Sequence, residues 1–276
     1  MPHDEPALPP LPADPRALYL DLLKRSLINW VYGREEGRFG RRSFGEIVLS
    51  ILRGNRGWSM RLSEFDPVAR KAGLDWPAFA HSMVGWERLS HLQRCAETVL
   101  AEKVPGDFLE AGVWRGGAAI LLRGVLKANA VVERTVWVAD SFQGLPASGA
   151  SQDKGLFLHR CEDLAVSRAD VEENFRRYGL LDSQVRFAEG WFADSLPALP
   201  VGPLAILRVD ADLYSSTTDV LVNLYDRVSP DGFVIIDDYH RMQSCKQAVD
   251  DFRAARGITE PLQDIDDDAV CWRKAR

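Results

Sequence analysis

Cysteine is scarce: Cys95, Cys161, Cys245 and Cys271 are the only four in 276 residues, and no two are spaced Cys-x-x-Cys. That excludes a disulfide frame and a thiolate zinc site, so the four read as buried thiols. No apolar run is long enough to span a membrane. The N-terminus lacks a basic start followed by an apolar core. The expected compartment is therefore the cytoplasm, with no membrane partner. Positive charge is not in excess. A net charge of −6 argues against a nucleic-acid binder, because no basic surface dominates. The arginines between 34 and 61 are the local exception. What remains is ordinary: 46% of residues are hydrophobic and 27% charged, enough for a substantial core in one large domain with additions or two small ones.

The most informative stretch is Phe108-Leu-Glu-Ala-Gly-Val-Trp-Arg-Gly-Gly-Ala-Ala-Ile-Leu-Leu122. It predicts the end of a buried strand, a glycine turn and the start of a helix. Gly112 allows a turn that a side chain would obstruct, and Gly116 and Gly117 let the backbone approach a ligand. The spacing is Glu-x-Gly-x-x-x-Gly-Gly. It is not the dinucleotide fingerprint and has no P-loop lysine. A carboxylate beside the turn, Glu110, would repel a pyrophosphate. It suits a cofactor with an amino group and a sulfonium, S-adenosylmethionine. A glycine turn alone is as often an ordinary connection. The next strand, Thr135-Val-Trp-Val-Ala139, adds weight because it ends in Asp140, placed to accept hydrogen bonds from two ribose hydroxyls.

Along the chain, residues 1–15 are rich in proline and acid and predict disorder. Residues 16–103 form a helical cap and lid region with a homodimer contact. Residues 104–276 form the cofactor domain. Arg16 to Tyr32 predicts a helix with a stripe of Leu18, Leu22, Ile28 and Val31, widened by Leu23, Leu27 and Trp30. The glycine-broken, arginine-rich segment 34–64 reads as a mobile surface segment or lid. Asp75-Trp-Pro-Ala predicts a helix start, and Trp86 to Lys103 a long amphipathic helix. Strands then alternate with helices: Val185–Ala188, Leu204–Val209 and Gly232–Ile236 are strands, and Val270–Arg273 reads as a closing edge strand. The expected fold is α/β, a doubly wound, mostly parallel sheet with an N-terminal helical extension.

Asp210 and Asp212 follow one apolar strand, and Asp237 and Asp238 follow the next. If the chain is extended at Asp210 and Asp212, both side chains point the same way. Carboxyl ends of parallel strands gather at one edge, where ligands bind. One strand-end aspartate is an ordinary cap. Two pairs after consecutive strands imply four like charges in one cleft, which repel unless a cation joins them. An all-oxygen donor set points to Mg2+. Asp212, Asp210 and His159, the last on a loop over the acceptor, are the candidate general bases. His81 is placed to shape the cofactor pocket.

Taken together, Leu18–Arg25, Ala80–Gly85, Val104–Gly117, Val136–Pro146, Gly190-Trp-Phe192 and Ile235–Tyr239 resemble the TylF-type macrocin O-methyltransferase family from about Leu18 to the C-terminus. The resemblance implies a Rossmann-like class I methyltransferase that uses S-adenosylmethionine and Mg2+ to methylate a sugar hydroxyl of a secondary metabolite in antibiotic biosynthesis. It implies Asp210, Asp237 and Asp238 as metal ligands. Met83, Glu110, Gly112, Asp140, Ser141, Trp191 and Phe192 are implied as cofactor contacts, and Arg115 of the glycine turn joins that set. Trp76 is implied near the acceptor, His159 is a further acceptor candidate, and Asp212 stands where one branch places its base. The acceptor is a glycosylated small molecule. Loops 34–64 and 147–165 depart from the family pattern. The rival readings are a Mg2+-dependent phosphoryl- or glycosyl-transfer enzyme using Val209-Asp-Ala-Asp212, and a non-catalytic cofactor binder. A phosphatase of the Asp-x-Asp type carries that motif on its first strand, and a glycosyltransferase leaves Glu110 without a partner.

Overall fold

The computed structural model describes residues 8–33 and 65–275. The segment 34–64, read as a lid, lies outside the described residues. Strands β1 (Asp107–Ala111), β2 (Val136–Asp140), β3 (Val185–Glu189), β4 (Leu204–Val209), β5 (Val228–Ile236), β6 (Gln263–Asp264) and β7 (Val270–Arg273) form one seven-stranded sheet. Their order is β3-β2-β1-β4-β5-β7-β6. The first five are parallel, and β7 runs antiparallel to both β5 and β6. The expected doubly wound α/β sheet is what the chain forms.

Alternation along the strands feeds two cores. Phe108 packs into one core and its neighbour Leu109 into the other. The first core lies under α1 (Pro15–Leu27), α3 (Gly85–Ala101), α4 (Gly117–Ala128) and α5 (Arg168–Arg177), with α2 (Pro67–Ala72) beside α3. The second lies under α7 (Tyr214–Leu224) and α8 (Gln243–Arg256), after the short α6 (Phe192–Ser195).

Several expectations are corrected. Helix α1 stops at Leu27, not Tyr32, because loop residues take its last carbonyls. The N–H groups of His81 and Ser82 donate to Leu27 O at 2.8 and 3.0 Å, and Arg70 Nη1 donates to Ile28 O at 2.7 Å. Its buried face is Leu20, Leu23, Leu27 and Ile28, whereas Leu22 and Val31 are exposed. No helix starts at Asp75. That carboxylate accepts from Arg70 Nε at 2.8 and 3.0 Å instead of capping a helix. The Asp-Pro start works one segment earlier, where Asp66 accepts the N–H groups of Val68 and Ala69 at 3.0 Å and opens α2. Strand β7 is not an edge: it lies between β5 and β6, and Trp272 on it is fully buried.

The internal position of β7 makes a testable contrast. Trp272→Ala is expected to lower stability in urea denaturation by ~3–5 kcal/mol, while Gln263→Ala on the outer β6 changes it by less than about 0.5 kcal/mol. Equal small effects would contradict the strand order.

Candidate active site

The carboxyl ends of β1, β2, β4 and β5 open into a cavity of about 560 Å³ lined by Glu110, Asp140, Asp210, Asp212, Asp237 and Asp238. Sheet register creates the cluster. Glu110 lies opposite Arg208 across β1 and β4, and Arg208 lies opposite Ile235 across β4 and β5. Opposed residues on neighbouring strands share a face, so Arg208 meets Glu110 directly. Arg208 Nη1 donates to Glu110 Oε1 at 2.6 Å and to Asp210 Oδ2 at 3.0 Å, and Nη2 donates to Asp237 Oδ1. Asp237 Oδ2 accepts from Arg88 Nη1 at 2.6 Å. Arg88, on α3, also lies 3.0 Å from Asp266 and 3.5 Å from Asp268.

The electrostatics divide the acids. Burial works against the Asp237 carboxylate, but the Arg208 and Arg88 guanidiniums hold it below the usual range. Burial lifts Glu110 to about 8; Arg208 opposes the rise, and Asp210 and Asp237 add to it. Glu110 Oε2 is buried and makes no hydrogen bond. Burial, then Asp237, pushes Asp210 up to about 6. Burial, then Asp210 and Asp237, pushes Asp212 up to about 7. Asp238 is driven well above the ordinary range by burial and its acidic neighbours. Glu110, Asp210 and Asp237 pair with Arg88 and Arg208, Asp212 and Asp238 stand beside them, and Arg241 also lines the cavity, so five carboxyl groups meet three guanidiniums. The cluster is not the uncompensated set of four acids expected from the sequence. The arginines relieve part of it, the carboxyl groups still outnumber the guanidiniums, and the raised pKa values of Glu110, Asp212 and Asp238 mean that protons or a cation take up the rest. One oxygen from each of Asp210, Asp237 and Asp238 lies within 4.8 Å of the others.

Two local geometries differ from expectation. The chain is not extended at Asp212. Its φ is 54°, and its N–H donates to Asp238 Oδ2 at 3.4 Å, so strand alternation does not align its side chain with Asp210. The glycines make room for protein, and Gly112 and Gly117 also line the cavity. Gly112, at φ 85°, has the Asp210 carbonyl oxygen 1.7 Å from where a Cβ would stand. At Gly117 a Cβ would stand 2.4 Å from the His81 carbonyl oxygen, and at Gly116 2.8 Å from Val171 Cγ1. Gly112 thereby lets the end of β4 close onto β1 and brings Asp210 beside Glu110.

Asp140 ends β2, where Oδ2 accepts the Val113 N–H and Oδ1 the Phe142 N–H, both at 2.8 Å. Burial raises its pKa and those amides oppose the rise. Met83, Ser141, Trp191 and Phe192 line the cavity, as does Trp76, which stays 45% exposed. The Ser141 hydroxyl donates to Gly144 O at 2.7 Å and so closes its own turn. His81 also lines the cavity, and its Nδ1 lies 2.8 Å from the Tyr178 hydroxyl. Arg115 and His159 are not on the cavity wall. The Arg115 guanidinium donates to the carbonyls of Ala78 and Ala80 at 2.8 Å, pinning the loop behind Trp76. His159 is exposed, its ring 6.3 Å from that of Phe157. Sequence reasoning missed Arg88 and Arg208. For Arg208 a signal was there: one arginine in the apolar run Leu204-Ala-Ile-Leu-Arg-Val209 needs buried acid partners.

The sheet order, the acid-flanked glycine turn after β1 and the acid ending β2 define a Rossmann-like class I methyltransferase that uses S-adenosylmethionine. Comparison with known proteins specifies it further. The chain matches the model of the macrocin O-methyltransferase (TylF) family over residues 16–274. It is 49% identical over 94% of both chains to the 8-demethyl-8-(2,3-dimethoxy-alpha-L-rhamnosyl)-tetracenomycin-C 4'-O-methyltransferase of Streptomyces olivaceus. It is 48% identical, over 94% of both chains, to the demethyldecarbamoylnovobiocin O-methyltransferase of Streptomyces niveus. It is 45% identical to the mycinamicin III 3''-O-methyltransferase of Micromonospora griseorubida, over 94% of this chain and 96% of that one. The solved structure of the O-methyltransferase NovP superposes with a TM-score of 0.84 at 46% identity, covering 95% of this chain and all (100%) of that one. The chain belongs to the macrocin O-methyltransferase family and is an S-adenosylmethionine-dependent O-methyltransferase. Its Asp-x-Asp follows the fourth strand, which sets it apart from the phosphoryl-transfer reading. Among the described residues, no helix is long and apolar enough to cross a membrane.

The three-acid contact of Arg208 sets a stability prediction. Arg208→Met strands buried carboxylates and is expected to cost ~3–5 kcal/mol in urea denaturation. A loss below about 1 kcal/mol would show that the acids do not depend on it.

Proposed function

We propose that this enzyme methylates a sugar hydroxyl of a glycosylated natural product in antibiotic biosynthesis, with Mg2+ as a second cofactor. The observation that carries the metal is the charge imbalance at the cleft. Asp210, Asp237 and Asp238 converge to within 4.8 Å, and the guanidiniums of Arg88, Arg208 and Arg241 leave carboxyl groups in excess. Such a set of oxygen donors fits a hard divalent ion. The acceptor class is supported by the relatives, whose acceptors are a rhamnosyl-tetracenomycin, demethyldecarbamoylnovobiocin and mycinamicin III.

In this reading Asp140 receives the ribose hydroxyls of the cofactor. Trp191 and Phe192 would flank its adenine, and the buried Glu110 carboxyl, which makes no side-chain hydrogen bond through Oε2, would receive its ammonium. Met83 and Ser141 complete that wall. Trp76 meets the acceptor. Asp210, Asp237 and Asp238 hold the metal. When bound, the ion supplies Lewis acidity that makes a sugar hydroxyl a competent nucleophile. Asp212 takes the hydroxyl proton. Bound S-adenosylmethionine would supply the methyl group to that oxygen as its methyl–sulfur bond breaks, with S-adenosylhomocysteine as the leaving product. The sulfonium and the developing oxyanion neutralise each other, so a cavity that excludes water favours the step. His159, exposed and away from the wall, is a weaker candidate for the base than Asp212.

The test is release of S-adenosylhomocysteine with the three relatives' acceptors as probes, before and after chelation. Activity lost on chelation and restored by Mg2+ is expected. Asp212→Asn is expected to keep affinity for S-adenosylhomocysteine and lose about 10²–10⁴ in kcat. Full turnover in chelator would remove the metal from the reading, and full turnover in Asp212→Asn would remove that base.

A further inference from the structure

The segment 147–165, which matches no pattern in the sequence, is fastened to the catalytic edge by one carboxylate. Asp153 is 3% exposed, on a 3₁₀ turn (Ser151–Asp153). Its Oδ1 accepts the Tyr214 N–H at 2.7 Å. Its Oδ2 accepts the Ser215 N–H at 3.2 Å and the Ser215 hydroxyl at 3.0 Å. The Ser148 hydroxyl donates to the same oxygen at 2.5 Å.

Those two amides open α7, whose N-cap, Leu213, has no side chain able to cap. The local sequence thus leaves the helix start without an acceptor, and an acid from a loop about sixty residues away in sequence supplies it, at the helix end that favours negative charge. The contact joins two walls of one cavity: Ala147 to Ala150 line it from the loop, and Ser215 and Ser216 line it from α7. The far end of the loop is tied separately, where Trp114 Nε1 donates to Asp163 O at 2.9 Å. The clamped turn begins two residues after Asp212.

We infer that Asp153 is a positioning residue: it sets the acceptor wall of residues 147–150 against α7 and, through the first turn of α7, fixes where Asp212 stands. The inference rests on the reading of Asp212 as the base in methyl transfer. The acceptor then meets a wall already built by four hydrogen bonds to one carboxylate, and the cofactor side, built from β1, β2 and β3, does not depend on it.

Three variants of the full chain test this: Asp153→Ala; Asp153→Asn, which keeps one oxygen for the helix cap; and Ser148→Ala, which removes the brace between 148–150 and Asp153, with its bond to the Ser215 hydroxyl, and leaves the cap. The readouts are KM and kcat with whichever of the three relatives' acceptors wild type turns over, Kd for S-adenosylhomocysteine, and amide exchange across 147–156. In Ser148→Ala the acceptor KM is expected to rise about tenfold, more than kcat falls. In Asp153→Ala both change, with kcat hit harder because the base moves, and Asp153→Asn restores part of kcat. In all three, 147–156 exchanges faster and cofactor-product affinity stays within about twofold. An acceptor KM within about twofold of wild type in both Ser148→Ala and Asp153→Asn, or unchanged exchange in 147–156, would overturn the inference even if Asp153→Ala fails to fold. So would an equal loss of S-adenosylhomocysteine affinity. If wild type turns over none of the acceptors, the functional reading fails, and exchange across 147–156 still decides the clamp.

Discussion

A guanidinium in the middle of a buried parallel sheet is the constraint on which the rest of this molecule depends. Arg208 is 2% exposed on a strand whose other residues are all apolar. A charge moved there from water is costly unless every nearby partner compensates it. The compensation comes from the ends of three adjacent strands: Glu110 from β1, Asp210 from β4 and Asp237 from β5. Arg208 therefore does two things at once. It makes buried carboxylates tolerable, and it orients them toward the edge where the cavity opens. Arg88 repeats the arrangement from α3 and extends it to Asp266 and Asp268, before β7.

Around that centre, ordinary backbone rules do the assembly. Gly112 admits the Asp210 carbonyl where any side chain would collide, so β4 ends beside the glycine turn. Gly117 admits the loop carrying Ser82 and Met83 against the start of α4. The terminal carbonyl of α1 holds the same loop through the His81 and Ser82 amides. Helix α1 thus holds the loop that lines the cavity at His81 to Val84, as well as covering one core. Asp153 does the corresponding work on the other wall.

Much of this was legible in the sequence, for definite reasons. Strands β1, β2, β4 and β5 are short apolar runs bounded by acids and glycines, which few other arrangements can satisfy. Their shared edge follows from parallel topology, which brings Glu110, Asp140, Asp210, Asp237 and Asp238 to one cavity wall as their strand-end positions imply. The failures are equally physical. Strand alternation says nothing once the backbone turns to φ 54° at Asp212. An Asp-Pro helix start and an Asp-Trp-Pro loop look alike until Arg70 claims Asp75. A two-residue strand such as β6 carries no periodicity, which is why β7 passed for an edge. Arg115 and His159 illustrate a different limit: nearness to a motif in sequence does not say which way a long or loop-borne side chain faces.

The acids at this edge outnumber the arginines, and a divalent ion is what would complete the set. Calorimetric titration of the protein with Mg2+, in the presence of S-adenosylhomocysteine, tests it most directly, with Asp238→Asn as the comparison because Asp238 forms no ion pair with either arginine. Saturable binding of a single ion is expected in the wild-type chain and its loss in Asp238→Asn, with binding of S-adenosylhomocysteine retained in both. A wild-type protein that binds S-adenosylhomocysteine normally yet takes up no Mg2+ would contradict this and leave the site's positive charge to Arg88, Arg208 and Arg241.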